Sequence, residues 1–203
     1  AAEKNIRFID QDLNRAFNNK NNNHESNLAK ELMQQIEGDL ILDLHTHTSN
    51  EQFSVVSQDN KELIKEFIEI MGFKYSIIIP NRLTNKSSLI ENFNNAISIE
   101  TGIHHSTEAI LCVKEIISKA INYLQDKPKN KDKVKFLIAK EFIYNNTNRN
   151  LVTNDKIKDF SKVYKNERLN EELITDEDFI PVLVSRVVNP GGKILLKCLE
   201  EQK

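Results

Sequence analysis

Between Leu40 and Leu124 the chain keeps switching period, from short apolar runs to stretches whose apolar residues fall three and four apart. That switching admits few architectures. "DLILDLH", "QFSVVSQ", "YSIIIP" and "NNAISIETG" read as buried strands, the third closed by Pro80 and the last running into Gly102. "HESNLAKELMQQIEG" reads as a helix with an inner stripe of Leu28, Leu32, Met33 and Ile36. "NKELIKEFIEIMGF" follows with Leu63, Ile64, Phe67, Ile68 and Met71. The strongest helix is "STEAILCVKEIISKAINYLQ", whose stripe is Ile110, Val113, Ile116, Ile117, Ala120, Ile121 and Leu124, with Ser106 or Thr107 as its cap. Strands and helices in turn predict an α/β fold: a mixed central sheet with flanking helices.

The texture changes at "DKPKNKDK", a polar stretch interrupted by proline. Beyond it "VKFLIAKEFIYN", "NLVTN", "FIPVLVSRVV" and "GGKILLKCLE" read as strands. The expected division is an α/β domain over 1–127 and a small β-rich domain over 128–203. "NKNNN" at 19–23 is a polar loop.

Composition narrows the function. The 28 basic and 30 acidic side chains are interspersed, and no basic block calls for nucleic acid. No run approaches the roughly 20 apolar residues that span a bilayer. Cys112 and Cys198 stand far apart in apolar settings, which predicts buried, reduced thiols and a cytoplasmic compartment.

Three stretches carry polar residues where chemistry is done. In "LDLHTHT", His45 ends an apolar strand, where α/β folds place their sites, and Asp43 stands two residues away to orient its ring. Strict alternation would put His47 on the same side as His45. The competing reading is a hydrogen-bonded structural histidine. In "RFIDQDLNRAF", Arg7, Asn14 and Arg15 suit an anionic substrate, because the arginine fork pairs with carboxylates; a solvated turn laced with salt bridges is the alternative. In "SIETG", Glu100 ends a strand, and desolvation there would raise it into the range of a general base; otherwise it caps the next helix. His105 and Glu108 form an H-x-x-E that opens an amphipathic helix, where surface roles are ordinary.

In their order, "RFIDQDLNRAF", "DLHTHTSN" and "IETG" resemble the succinylglutamate desuccinylase/aspartoacylase family, a branch of the zinc carboxypeptidase-like fold. The resemblance spans about residues 1–125. It implies a Zn2+-dependent amide hydrolase that removes an acyl group from a small-molecule N-acyl amino acid, with an acidic side chain or acyl group. It makes His45 the third zinc ligand and leaves His47, where relatives carry Thr, without that role. Arg7 would polarise the scissile carbonyl, Asn14 and Arg15 would grip a substrate carboxylate with Asp12 steadying their loop, and Glu100 would be general base and then acid. The family's first two zinc ligands come from an H-x-x-E upstream of the D-L-N-R motif, so they are expected from a segment of roughly 50 residues ahead of Ala1. Two alternatives stand beside this: a carboxypeptidase-type peptide hydrolase with the same grip, and a metal-free, non-catalytic domain.

Overall fold

Each strand of this protein carries two kinds of neighbour, and the period of two sorts them onto opposite faces. The computed structural model describes residues 8–126 and 130–201. The strands are β1 (Ile41–His47), β2 (Phe53–Ser57), β3 (Tyr75–Ile79), β4 (Ala96–Ile103), β5 (Lys135–Tyr144), β6 (Leu151–Val152), β7 (Ile180–Val182), β8 (Val187–Val188) and β9 (Lys193–Glu200). The helices are α1 (His24–Gln35), α2 (Lys61–Met71) and α3 (Thr107–Leu124). Seven strands form one sheet in the order β1-β4-β2-β3-β5-β9-β7, while β6 and β8 make a separate ribbon. The sheet is mixed. Its β1–β4, β2–β3 and β3–β5 pairs are parallel, and its β2–β4, β5–β9 and β7–β9 pairs are antiparallel.

One face of the sheet meets the helices. Val56, Ile78, Ile97 and Ile99 pack there against Ile64, Phe67 and Ile68 of α2 and Cys112, Ile116 and Ala120 of α3. Phe67 and Ile68 are fully buried, each worth about 1.5–3 kcal/mol relative to exposure. The opposite face carries Phe53, Ile77 and Ile79, joined by Leu137, Val182 and Leu196. Leu42 packs with the helix-side cluster, so its neighbours in alternation, Asp43 and His45, belong to the other face. Ile97 and Ile99 likewise assign Ser98 and Glu100 to that second face.

The stripes differ from those the periodicity predicts. In α2, Leu63 is exposed and Ile70 is buried. In α3, the inward residues are Ala109, Cys112, Ile116 and Ala120, while Ile110, Ile117, Ile121 and Leu124 lie outward. Met33 of α1 is also exposed. When apolar residues surround a helix on most sides, the small ones decide which side approaches a sheet most closely.

Strands from before and after the expected boundary at 127/128 share one sheet, because β5 pairs with β3. Residues beyond it do two things: β5, β9 and β7 extend the sheet, and a lobe with its own cluster, including Leu151, Ile157, Val163, Leu169 and Phe179, forms next to them. Both cysteines are free and buried. Among the described residues, no helix is long and apolar enough to cross a membrane.

Candidate active site

The second sheet face opens into a cavity of about 250 Å³, lined by residues from both halves of the chain. Parallel pairing of β1 with β4 sets His45 directly opposite Glu100. Both line the cavity. The register shifts between His45 and His47, a bulge of the kind that re-aims side chains beside sites. The hydroxyl of Thr101 donates to the His45 carbonyl at 2.8 Å and holds the strand end in place. Gly102 follows with φ of +108°, a conformation that side chains disfavour, so the E-x-G spacing has a backbone reason.

His47 lines the same cavity as His45, the side that alternation predicts. Its ring is buried, with Nδ1 accepting from the Ser49 N–H at 3.4 Å and Nε2 donating to the Glu51 carbonyl at 2.7 Å. It meets Phe53 edge-on at 5.5 Å between ring centroids. Both ring nitrogens are thus engaged in fixing the turn.

His45 sits between acids. Asp43 Oδ2 lies 2.9 Å from its Nε2, yet that oxygen is buried and makes no well-directed hydrogen bond. Asn14 Nδ2 approaches the same nitrogen at 3.5 Å. Asn14 Oδ1 accepts from the Leu89 N–H at 3.0 Å, which fixes the amide so that its donor faces the ring. The Asn14 donor and the Asp43 carboxylate thus both face Nε2 and hold the imidazole in place.

Glu100 bears the mark of a strained charge. One carboxylate oxygen, Oε2, is buried without a hydrogen-bond partner. Burial pushes its pKa up; His45, His47 and Lys193 pull it down, and Asp43 pushes it up again. The net direction is upward from 4.5.

The D-L-N-R loop reaches the cavity from the side. Asp12 caps the 3-10 turn Leu13–Arg15, its side chain accepting from the Asn14 N–H at 3.1 Å. Asp12, Asn14 and Arg15 all line the cavity, and the Arg15 guanidinium also donates to the Asn14 carbonyl. What holds this loop is Glu25, in the first turn of α1. Its buried carboxylate accepts from the N–H groups of Ile9 (2.6 Å), Asp10 (3.1 Å) and Gln11 (3.3 Å). Burial alone would raise that acid, but the three N–H groups prevail and hold its pKa at about 2. Arg7 lies outside the described residues.

Two participants escape a reading of the sequence. Glu25 looks like an ordinary acid in a helix's first turn. Lys193 lines the cavity from the far end of the chain, its ammonium 4.1 Å from the centre of the Phe142 ring. The Gly-Gly turn before Lys193 was the only local hint. His105 has φ of +63° just ahead of α3, and among the described residues no three His, Cys, Asp or Glu side chains cluster to hold a metal. The donor set therefore fits a metal at one position, the imidazole of His45 backed by Asp43.

Comparison with known proteins follows the same residues. Residues 1–109 match the succinylglutamate desuccinylase/aspartoacylase catalytic domain. A protein named probable aspartoacylase from Prochlorococcus marinus (strain MIT 9515) is 32% identical over 118 residues, which is 50% of this chain and 39% of that protein. The chain thus spans about two-fifths of the length of that curated relative. Among solved structures, a succinylglutamate desuccinylase/aspartoacylase from Rhodobacter sphaeroides superposes with a TM-score of 0.73 at 13% identity, covering 100% of this chain and 73% of that one. A succinylglutamate desuccinylase from Vibrio parahaemolyticus gives a TM-score of 0.73 at 17% identity, covering 99% and 68%. These two likenesses establish the shared fold.

Proposed function

The chain belongs to the succinylglutamate desuccinylase/aspartoacylase family, and from that premise we propose that it hydrolyses the amide bond of a small N-acyl amino acid. The observation that carries this reading is the pairing of His45 with Glu100 across one cavity, with an unpartnered carboxylate oxygen on Glu100. Desolvation raises the pKa of such an acid and makes it a better proton acceptor.

In this mechanism Asn14 and Arg15 hold the substrate carboxylate and thereby fix where the amide lies. Glu100 takes the proton of the attacking water and returns it to the leaving amine, so one residue serves as base and then as acid. Arg7 is assigned the developing charge on the carbonyl oxygen, a contribution of about 3–4 kcal/mol for a well-placed donor. His45, oriented by Asp43, would be the residue of this cavity that contributes a ligand to a zinc ion. When bound, the metal supplies Lewis acidity to the carbonyl and lowers the pKa of water.

A peptide substrate is the weaker reading. What favours the small molecule is the family match, while Phe142, Val182, Leu183, Lys193 and Leu196, all from beyond the linker, complete the cavity lining. The test is amine release from N-acyl amino acids by the zinc-supplemented protein. Glu100→Gln should lower kcat by about 10²–10⁴-fold while zinc content, measured by mass spectrometry, is unchanged. A variant as active as the parent would refute the mechanism.

A further inference from the structure

Asn14 is turned by a group far along the chain. Its Oδ1 accepts from the Leu89 N–H at 3.0 Å, and Leu89 opens a 3-10 turn, Leu89–Glu91. That turn belongs to the segment between β3 and β4, which brings Thr84 and Ser88 to the cavity wall. Within the segment Asn85 and Lys86 have φ of +53° and +57°. Residues with a Cβ keep such a conformation only where their surroundings impose it.

The bonds that impose it converge on Glu91, which is buried and is itself outside the cavity lining. Its Oε1 accepts from the Thr84 hydroxyl. Its Oε2 accepts from the Ser88 N–H at 3.2 Å and the Ser88 hydroxyl at 2.6 Å. Asn92 Nδ2 closes the other side, donating to the carbonyls of Lys86 at 2.9 Å and Ser88 at 2.8 Å. Two more bonds reach across to the D-L-N-R loop, from the Phe17 N–H to the Ser87 carbonyl at 3.2 Å and from Asn18 Nδ2 to the Asn85 carbonyl at 2.8 Å. A glutamate that reaches back to the residue before a turn is an ordinary capping device. Here the next N–H, that of Leu89, is spent on Asn14.

Resting on the hydrolase reading above, we propose that Glu91 is a positioning residue. By holding Thr84 and Ser88 it aims the Leu89 N–H at Asn14, and so keeps the Asn14 donor turned toward His45 and the substrate carboxylate. An amide left unheld can turn over and present its oxygen, which repels a carboxylate.

The test compares Glu91→Ala, Glu91→Gln, Asn14→Ala and the combination of Glu91→Ala with Asn14→Ala. Amine release from N-acetyl-aspartate is followed with the zinc-supplemented protein, and nitrogen-15 NMR of the full chain follows the Leu89 N–H and the Asn14 side-chain amide. Glu91→Ala should raise KM about tenfold or more while kcat changes less than about threefold. Glu91→Gln should stay within about threefold of the parent, because its amide oxygen can serve Ser88 while the Thr84 hydroxyl turns to accept. In the Asn14→Ala background, adding Glu91→Ala should change KM less than about twofold, since the effect passes through Asn14. Hydrogen exchange at Leu89 should be about tenfold faster in Glu91→Ala, with the Asn14 amide signal shifted. An unchanged KM in Glu91→Ala, or a full second loss in the combined variant, overturns the proposal. If Glu91→Ala does not fold, Thr84→Val takes its place, with a several-fold rise in KM that must likewise vanish in Asn14→Ala. A parent that releases no amine would sink the hydrolase reading. The NMR signals then decide alone: faster Leu89 exchange with a shifted Asn14 amide upholds the positioning role, and unchanged signals overturn it.

Discussion

Replacing Glu100 with glutamine should make the protein more stable while it abolishes activity. The carboxylate sits on a sheet face with Oε2 buried and unpartnered. A buried acceptor left unsatisfied costs about 1–3 kcal/mol, more when charged, and the isosteric amide removes the charge without opening a cavity. For a chain of this size each kcal/mol moves Tm by about 2–4 °C, so a gain of at least a few degrees is expected in Glu100→Gln. The pH dependence is the sharper signature. The folded-state pKa of Glu100 is raised, so folding favours its protonated form. The favourable contribution is complete below the unfolded value of 4.5 and is lost as pH rises through the folded value. Parent and variant should therefore melt together in mild acid and diverge toward neutrality, with the variant higher. Circular dichroism at 222 nm on metal-free protein from about pH 4 to pH 8 measures this directly, spanning the unfolded value and neutrality. A variant less stable than the parent at neutral pH, or a gap that ignores pH, would refute the reasoning.

Other expectations concern the residues around Glu100. Arg15→Ala should raise KM about tenfold or more for N-acyl amino acids and much less for their carboxamides; equal losses in steady-state kinetics would argue against the carboxylate grip. Glu25→Ala should free the N–H groups of Ile9, Asp10 and Gln11, seen as faster hydrogen exchange there by NMR. Because the Glu25 pKa is lowered to about 2, the parent should keep that protection above 4.5 and lose it as pH falls toward 2. Unchanged exchange in the variant would remove Glu25 as the anchor. His47→Phe should cost about 1 kcal/mol of stability through its lost bond to Glu51 while kcat and zinc content change less than about threefold; loss of zinc would make His47 a ligand.

The order of strands and helices was open to reading because each apolar run is short, bounded and cleanly periodic. His45 and Glu100 were legible for a related reason: polar residues at the ends of apolar strands have little structural excuse. Their facing one another depended on register, and that comes from pairing β1 with β4, more than fifty residues apart in the chain. The helix faces were harder. Ile110, Ile117, Ile121 and Leu124 keep the period as well as Ile116 does, and only packing against the sheet selects Ala109, Cys112 and Ala120 for the inside. The polar stretch after α3 reads as a domain boundary, while the pairing of β5 with β3 that puts both sides of it in one sheet is long-range. Lys193 and Leu183 were beyond local reading, since their place in the cavity is fixed by β9 and β7 completing the sheet.

The central claim is that His45 and a desolvated Glu100 confront each other across one cavity. Carbon-13 NMR of metal-free protein labelled at glutamate Cδ, with the Glu100 signal identified by its loss in Glu100→Gln, measures it most directly. The Glu100 titration midpoint should lie above the ordinary 4.5 and climb further in His45→Asn, because a charge that favours the carboxylate has been removed. A midpoint at or below 4.5, or one indifferent to His45→Asn, would contradict the account.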